Sequence, residues 1–471
     1  VPEGRFDVVV AINVPRRQRA SDRIKPARLL LLAALILECG YRPPPDTGDG
    51  WRVGRAADAE LNEPWLVAAR LAARKPGSRI HSMLVVKDGR LVLEEYMNGW
   101  QRDSLHPMFS MTKSIVSLLA GVAVENGDLA GLGVPVSDFF PGSPGADQQL
   151  TVWHLLTHTA GLEWDEMSFP YGDSRNSQTA MMMAGDWAGF VLSRPRTAPP
   201  GSVFRYSTGN YFLLGLILEQ ATGMPLARFA RERLFEPLGI ERFEWGRNRQ
   251  GQVCADGSWG GLRLRSRDLA RIGQLVLDRG TWDGCPVVSS RWLDSATAVV
   301  AEARPGMGYG FGWWSYEVPV RGRKLKLVMA LGYRSQALLL LPQERLAVVF
   351  TSDYANPHLN LIVASAGCIL VSALGLDAVP LCLHWLRTLR PQGRVSGALP
   401  AWSVRTEPKH QVPDPDRGSF LASFPASLVR GQSGASPECK FQNAGWRRRM
   451  RSGQSLTLVP SRRRMWRWSE R

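Results

Sequence analysis

Pro107-Met-Phe-Ser110-Met-Thr-Lys113-Ser-Ile-Val-Ser-Leu-Leu-Ala-Gly-Val-Ala-Val-Glu125 is the stretch on which the fold turns. After the proline, which suits a helix's first turn, Ile115, Val116, Leu118, Leu119, Val122 and Ala123 leave almost no polar face. Met108 to Glu125 is therefore expected to form a helix buried on most sides. Ser110 and Lys113 stand out in that setting, because buried polar groups need partners. Their i, i+3 spacing puts the amine beside the hydroxyl. A serine is a weak nucleophile unless a base lies within hydrogen-bond reach. Burial disfavours the charged form of a lysine, so that part of it can accept a proton. A helix N-terminus adds unpaired N–H groups and a positive dipole end, both of which favour a developing oxyanion.

Ser-x-x-Lys on its own is a common tetrad, and a capping serine with a solvated lysine is the bland alternative. A second group tips the balance. Tyr206, in Pro200-Gly-Ser-Val-Phe-Arg-Tyr206-Ser-Thr-Gly-Asn210, lies in a turn entering a helix, and its phenol can relay a proton to a leaving group. Its alternative role is an aromatic plug.

Outward from this core, His81–Lys87 and Arg90–Tyr96 are apolar runs joined by Asp88-Gly89, the signature of a tight hairpin. Residues 150–235 read as mainly helical, including Trp153–His158, Asp186–Leu192 and Asn210–Ala221. A helix over Ser266–Asp278 precedes strands at Lys324–Met329, Gln336–Leu341 and Leu346–Thr351. Leu361–Leu374 is expected to be a helix packed on that sheet and is too short to span a membrane.

The chain has 471 residues, an ordinary apolar fraction of 44% and a net charge of +16. That charge is concentrated at the end, with 17 Lys and Arg against 6 Asp and Glu from Asp377 to Arg471, so the middle does not read as a nucleic-acid binder. Residues 378–471 keep no helical or strand period and are expected to be a disordered basic extension. A phospholipid- or nucleic-acid-binding tail is the alternative. Near the other end, Arg23, Lys25 and Arg28 precede the apolar run Leu29–Leu37 and then Glu38-Cys39-Gly40, which reads as an export signal. Leu-x-x-Cys suggests lipidation of Cys39 and attachment to a membrane, with a periplasmic or lipid-anchored location. A cytoplasmic protein with a misplaced start is the alternative. Tyr41–Gly54 reads as a linker completing the first 50 or so residues, and a catalytic domain is expected over 51–377. The six cysteines have no zinc-site spacing, although Cys254 and Cys285 could pair in an oxidising compartment.

Six segments together resemble a known superfamily: Ser110-Met-Thr-Lys-Ser-Ile115, His154-Leu-Leu-Thr-His-Thr-Ala-Gly-Leu162, Pro200-Gly through Gly223, Leu234-Phe-Glu-Pro-Leu-Gly-Ile240, Trp259-Gly-Gly-Leu262 and Ala330-Leu-Gly-Tyr-Arg-Ser-Gln336. From His81 to Asp353 the sequence is similar to the serine β-lactamases and penicillin-recognising proteins, in their class C and esterase branch. Within that branch it resembles the 6-aminohexanoate-dimer-hydrolase-like, β-lactamase-related serine hydrolases. The resemblance implies an α/β (α+β) fold of β-lactamase/transpeptidase type, with an antiparallel sheet flanked by helices and a mostly helical subdomain inserted over about 140–260. It implies Ser110 as acyl-forming nucleophile, Lys113 as its base, Tyr206 as proton shuttle, and the backbone N–H groups of Ser110 and Tyr333 as oxyanion hole. Gly332, Tyr171 and Asp186 are the substrate-side candidates it suggests. For Tyr171 the alternative is an ordinary loop aromatic, and for Asp186 a helix N-cap. It implies no cofactor. His154 and His158, spaced i and i+4, lack the glutamate of a metalloprotease helix, so no metal is expected.

Two positions depart from the family pattern. Ala330 stands where β-lactamases and penicillin-binding proteins carry a cation for a substrate carboxylate, and Tyr206-Ser-Thr208 replaces Tyr-x-Asn. Both favour a small linear amide or ester as substrate. A β-lactamase or D-alanyl-D-alanine carboxypeptidase, and a non-catalytic penicillin-fold binding protein, are the alternatives.

Overall fold

The computed structural model describes residues 41–320 and 322–353 together with Ala366, Ile369, Leu370, Ala373 and Leu374. The expected export signal with Cys39, the basic tail and most of the Leu361–Leu374 helix lie outside the described residues. Ala366, Ile369, Leu370 and Ala373 are helical.

In chain order the strands are β1 (Arg52–Val53), β2 (Ile80–Lys87), β3 (Arg90–Tyr96), β4 (His106–Pro107), β5 (Glu244–Trp245), β6 (Leu262–Leu264), β7 (Thr281–Trp282) and β8 (Cys285–Pro286). They continue with β9 (Ala301–Arg304), β10 (Met307–Tyr309), β11 (Trp314–Val320), β12 (Arg323–Gly332), β13 (Gln336–Leu341) and β14 (Leu346–Ser352). The helices are α1 (Glu63–Ala73), α2 (Met111–Glu125), α3 (Val152–Leu156), α4 (Ser177–Met183), α5 (Trp187–Leu192), α6 (Thr208–Thr222), α7 (Leu226–Ala230), α8 (Ser266–Leu277) and α9 (Ser290–Thr297).

Nine strands make the main sheet, in the order β1-β3-β2-β14-β13-β12-β11-β10-β9. Every neighbouring pair is antiparallel except β1 with β3. β14 lies against β2, with Val348 opposite Val85, so the sheet joins both ends of the catalytic region and leaves the helical segment as an insertion. The expected hairpin is present, with Asp88 and Gly89 at φ 49° and 74°.

The central strands read as unbroken apolar runs because both faces of the sheet are covered. Along β2 and β14, Leu84, Val86, Ala347 and Val349 join the core containing α2 and α8, whereas Met83, Val85, Val348 and Phe350 join the core containing α1. The second core also takes Ala366 and Ile369, consistent with a helix packed on the sheet.

Two expectations are corrected. The helix thought to start at Met108 starts at Met111, with Ser110 at its N-cap, because Phe109 adopts a positive φ. The segment expected to be a linker is docked on the fold. Trp51 is buried and its Nε1 donates to the Arg267 carbonyl at 3.3 Å, and the Tyr41 hydroxyl donates to the Val92 carbonyl at 2.5 Å. In addition, Cys254 is a free, buried thiol, so the Cys254–Cys285 pair is not made.

Arg267 fastens that segment. Its side chain is 2% exposed and forks onto Glu94, with Nε to Oε1 and Nη2 to Oε2 both at 2.7 Å. Its Nη1 reaches Thr47 at 2.6 Å and Asp49 at 2.9 Å. Burial opposes ionisation of Glu94, but the bonds from Arg267, Arg102 and Tyr96 outweigh it and hold the carboxyl below its ordinary range. Arg267→Met leaves that carboxylate buried without its main partner. It should lower the unfolding free energy by about 3–5 kcal/mol in chemical denaturation. Because the folded Glu94 pKa is depressed, its contribution is complete above the ordinary value of 4.5 and disappears as the pH falls through the lowered one. The gap between parent and variant should narrow correspondingly in acid.

Candidate active site

The site begins with a bend before α2. Phe109 sits at φ 48°, a left-handed conformation that costs a bulky residue about 1–3 kcal/mol and persists only where its surroundings enforce it. Here the segment 257–262 does so. The Phe109 N–H donates to the Gly260 carbonyl at 2.9 Å, the Met108 N–H to the Leu262 carbonyl at 2.8 Å, and the Leu262 N–H to the Thr112 hydroxyl at 3.0 Å. Gly257, at φ 94°, passes so close that a Cβ there would lie 2.4 Å from the Phe109 oxygen and 2.9 Å from the Ser110 nitrogen. Trp259-Gly-Gly-Leu262 is thus the brace of the bend that presents Ser110.

Lys113 is 1% exposed, and its Nζ is held by three oxygens: the Ser110 Oγ at 3.0 Å, the Thr208 Oγ1 at 3.3 Å and the backbone carbonyl of Asp256. The amine also lies 5.2 Å from the centre of the Tyr206 ring. Burial raises the Tyr206 pKa, against the opposing effects of Lys113 and of hydrogen bonds with Ser110 and Lys113, so the resting group is a phenol. Trp314 stacks along its ring at 5.8 Å and 23°. The fold thus brings Ser110, Lys113 and Tyr206 together.

His158 packs 4.5 Å from Tyr206. Burial first and Lys113 second push its pKa far below the ordinary value, so the ring is neutral. Its Nδ1 accepts the Ser207 N–H at 3.2 Å, fixing the backbone next to Tyr206. His154 has a different task, with its Nδ1 accepting the Thr151 N–H at 3.0 Å at the start of α3.

Two residues of the cluster, Glu166 and Asp256, escaped sequence reasoning. Glu166 is buried, and its Oε2 accepts from the Trp164 Nε1 and the Thr208 N–H, both at 2.8 Å. Its Oε1 accepts from the Thr208 hydroxyl at 2.5 Å and the Tyr171 hydroxyl at 3.2 Å. Thr208, in the position where the family carries an amide side chain, thereby links Lys113 to a carboxylate. Asp256 is fully buried beside Lys113, and burial raises its pKa against the opposing effects of Lys113 and the Ser258 hydroxyl. Nothing in the local sequence distinguishes Glu166 from its neighbour Asp165, or Asp256 from an acid in a surface Asp-Gly turn. Burial separates them, and that depends on contacts between distant segments.

The remaining candidates divide. Gly332 ends β12 against the segment before Ser110, where a Cβ would lie 2.3 Å from the Met108 oxygen. The next residue, Tyr333, has its ring edge-on to Phe109, the residue before Ser110, at 5.6 Å. Tyr171 joins the same group through an edge-to-face contact with Tyr333 at 4.9 Å. Asp186 does not join it. It is exposed at the N-cap of α5 with Oδ2 over Gly189, and among the described residues it makes no hydrogen bond to the cluster.

Thr208→Val retains volume but removes the hydroxyl between Lys113 and Glu166. Hydrogen bonds to charged groups contribute about 1.5–3 kcal/mol. The variant's kcat should therefore fall on the order of tenfold or more, with KM much less affected, in steady-state hydrolysis of a simple ester.

Comparison with known proteins identifies the family and the fold. A 6-aminohexanoate-dimer hydrolase from Paenarthrobacter ureafaciens is 25% identical over 364 residues, covering 69% of this chain and 88% of that protein. Esterase EstB from Burkholderia gladioli is 30% identical over 205 residues, covering 40% of this chain and 50% of that protein. The solved structure of a β-lactamase/D-alanine carboxypeptidase from Pseudomonas syringae shares the fold, with a TM-score of 0.51 at 19% identity over 67% of this chain and 98% of that one. The Beta-lactamase family model matches residues 68–363, and the chain belongs to the β-lactamase family.

Proposed function

We propose that the protein is a serine hydrolase that cleaves small carboxylic amides or esters through an acyl-enzyme on Ser110. The 3.0 Å bond between the Lys113 Nζ and the Ser110 Oγ, at the first turn of a buried helix, carries this reading. Ser110 attacks the carbonyl carbon while its proton passes to Lys113. Tyr206, in hydrogen-bond contact with both, hands a proton to the departing amine or alcohol. The negative charge on the carbonyl oxygen is assigned to the N–H groups of Ser110 and Tyr333, where loss of one donor typically costs about 2.7–4 kcal/mol of transition-state stabilisation. Water then attacks the acyl carbon by the same proton route in reverse, releasing the acid and restoring Ser110.

Ala330 supports amides and esters over β-lactams. It is 2% exposed in β12, paired with Leu338 and without any charge of its own, at the position where a cation would hold a substrate carboxylate. The names of the relatives, an amide-dimer hydrolase and an esterase, fit the same substrate class.

Labelling by a fluorophosphonate should be complete for the parent and absent in Ser110→Ala. Persistent labelling elsewhere in that variant, or none in the parent, contradicts the assignment. Tyr206→Phe keeps the ring and removes the proton, and should lower kcat by roughly 10²–10⁴. Turnover of p-nitrophenyl acetate, an aminohexanoate dimer and a chromogenic cephalosporin, measured side by side, separates the substrate classes. Turnover of the cephalosporin alone would reverse the argument from Ala330.

A further inference from the structure

Eight large apolar side chains are well exposed among the described residues, and five of them, Met167, Tyr171, Val203, Trp259 and Tyr333, lie on the segments that frame Ser110 and Tyr206. Exposed apolar side chains gathered at one place mark a binding surface. The best-defined part is a run of three rings beside the nucleophile. Phe109 directly precedes Ser110, Tyr333 stands edge-on to Phe109, and Tyr171 stands edge-on to Tyr333. Tyr333 and Tyr171 remain 42% and 41% exposed despite these contacts, so ring surface is left for a further partner. The backbone contacts described above fix Phe109, and the bond to Glu166 anchors Tyr171.

Three charged groups on these segments are already partnered. The Arg334 guanidinium is bound to Asp353, Arg175 bonds Asp173 at 2.7 Å, and Glu166 accepts four hydrogen bonds from the protein. With Ala330 in β12, the rim offers rings and no unpaired charge among these residues.

We propose that Phe109, Tyr333 and Tyr171 form a subsite for an uncharged aromatic group on the acyl side of the scissile bond, so that arylacyl esters and amides are the substrates of this site. The inference rests on the serine-hydrolase reading. Substrate rings would pack edge-to-face or offset against the exposed tyrosines, as those rings already pack on each other. An acyl group carrying a carboxylate would be desolvated there without a partner.

Three methyl esters test it, because a methyl leaving group confines any ring to the acyl side: methyl phenylacetate, methyl acetate and monomethyl succinate, followed by acid release with the full chain. The phenylacetate should exceed the acetate in kcat/KM by roughly tenfold or more, and the succinate should fall below the acetate. Tyr333→Leu should bring the phenylacetate-to-acetate ratio close to one, while Tyr333→Phe, which keeps the ring, preserves it. The ratio is informative even where a variant is slower overall. Equal rates for the three esters, a faster succinate, no turnover of the phenylacetate, or an unchanged ratio in Tyr333→Leu overturns the subsite. In each of these cases fluorophosphonate labelling of Ser110 still stands as evidence for the hydrolase. Loss of labelling as well removes both.

Discussion

A lysine amine sealed inside an apolar helix must find oxygens or leave its hydrogen-bonding groups unmet at a cost of several kcal/mol, and the arrangement of the site follows from that need. Lys113 meets it with three oxygens, one local and two distant in the chain: Ser110 at the start of its own helix, Thr208 at the start of α6, and the Asp256 carbonyl in the loop before β6. The same bonds that stabilise the buried amine therefore fix the inserted helical segment and the 256–262 loop relative to Ser110. Structural and chemical demands fall on one atom. Arg267 obeys the same rule elsewhere, as a buried cation whose forked bonds to Glu94 and Asp49 hold the docked N-terminal segment.

The second constraint is backbone strain. A left-handed Phe109 is unfavourable in isolation, and it interrupts what would otherwise be a helix from Met108. The interruption places the Ser110 hydroxyl at the helix end, while the Met111 and Thr112 N–H groups donate to the carbonyls of Met108 at 3.1 Å and Phe109 at 2.9 Å. Gly257 is the counterpart of that strain, because only a residue without a Cβ lets the loop approach the Phe109 carbonyl closely enough to support it.

These two constraints explain what the sequence disclosed and what it withheld. β2, β13 and β14 are legible because a strand covered on both faces is apolar throughout, and α2 because its apolar residues surround the axis. Ser110, Lys113 and Tyr206 are legible because polar groups in such surroundings are conspicuous. The strands β9, β10 and β11 on one side of the sheet are not, since Glu302, Arg304, Gly308, Glu317 and Pro319 break any simple alternation. The docking of residues 41–54 was hidden by their Pro, Gly and Asp content, which describes the local chain and not the arginines of α8 that capture it. Glu166 and Asp256 were hidden for a related reason: an acid is expected at the surface, and only tertiary contacts reveal that these two are sealed beside a lysine.

That pair of buried acids also bears on selectivity. Around Ser110 the fixed groups are one lysine, two carboxyl groups and a neutral histidine, and Thr208 couples the lysine to one of the acids. A cation in β12 would add the positive charge that a substrate carboxylate needs, but Ala330 supplies none. Under the proposed mechanism, a substrate bearing its own carboxylate would bring a third acidic group beside these two and would draw on the same lysine that Ser110 requires. A neutral ester or amide makes no such demand. The alanine therefore does more than omit one contact. Under the proposed mechanism it also leaves Lys113 to exchange protons with Ser110 and Tyr206 alone, with no substrate carboxylate competing for the amine.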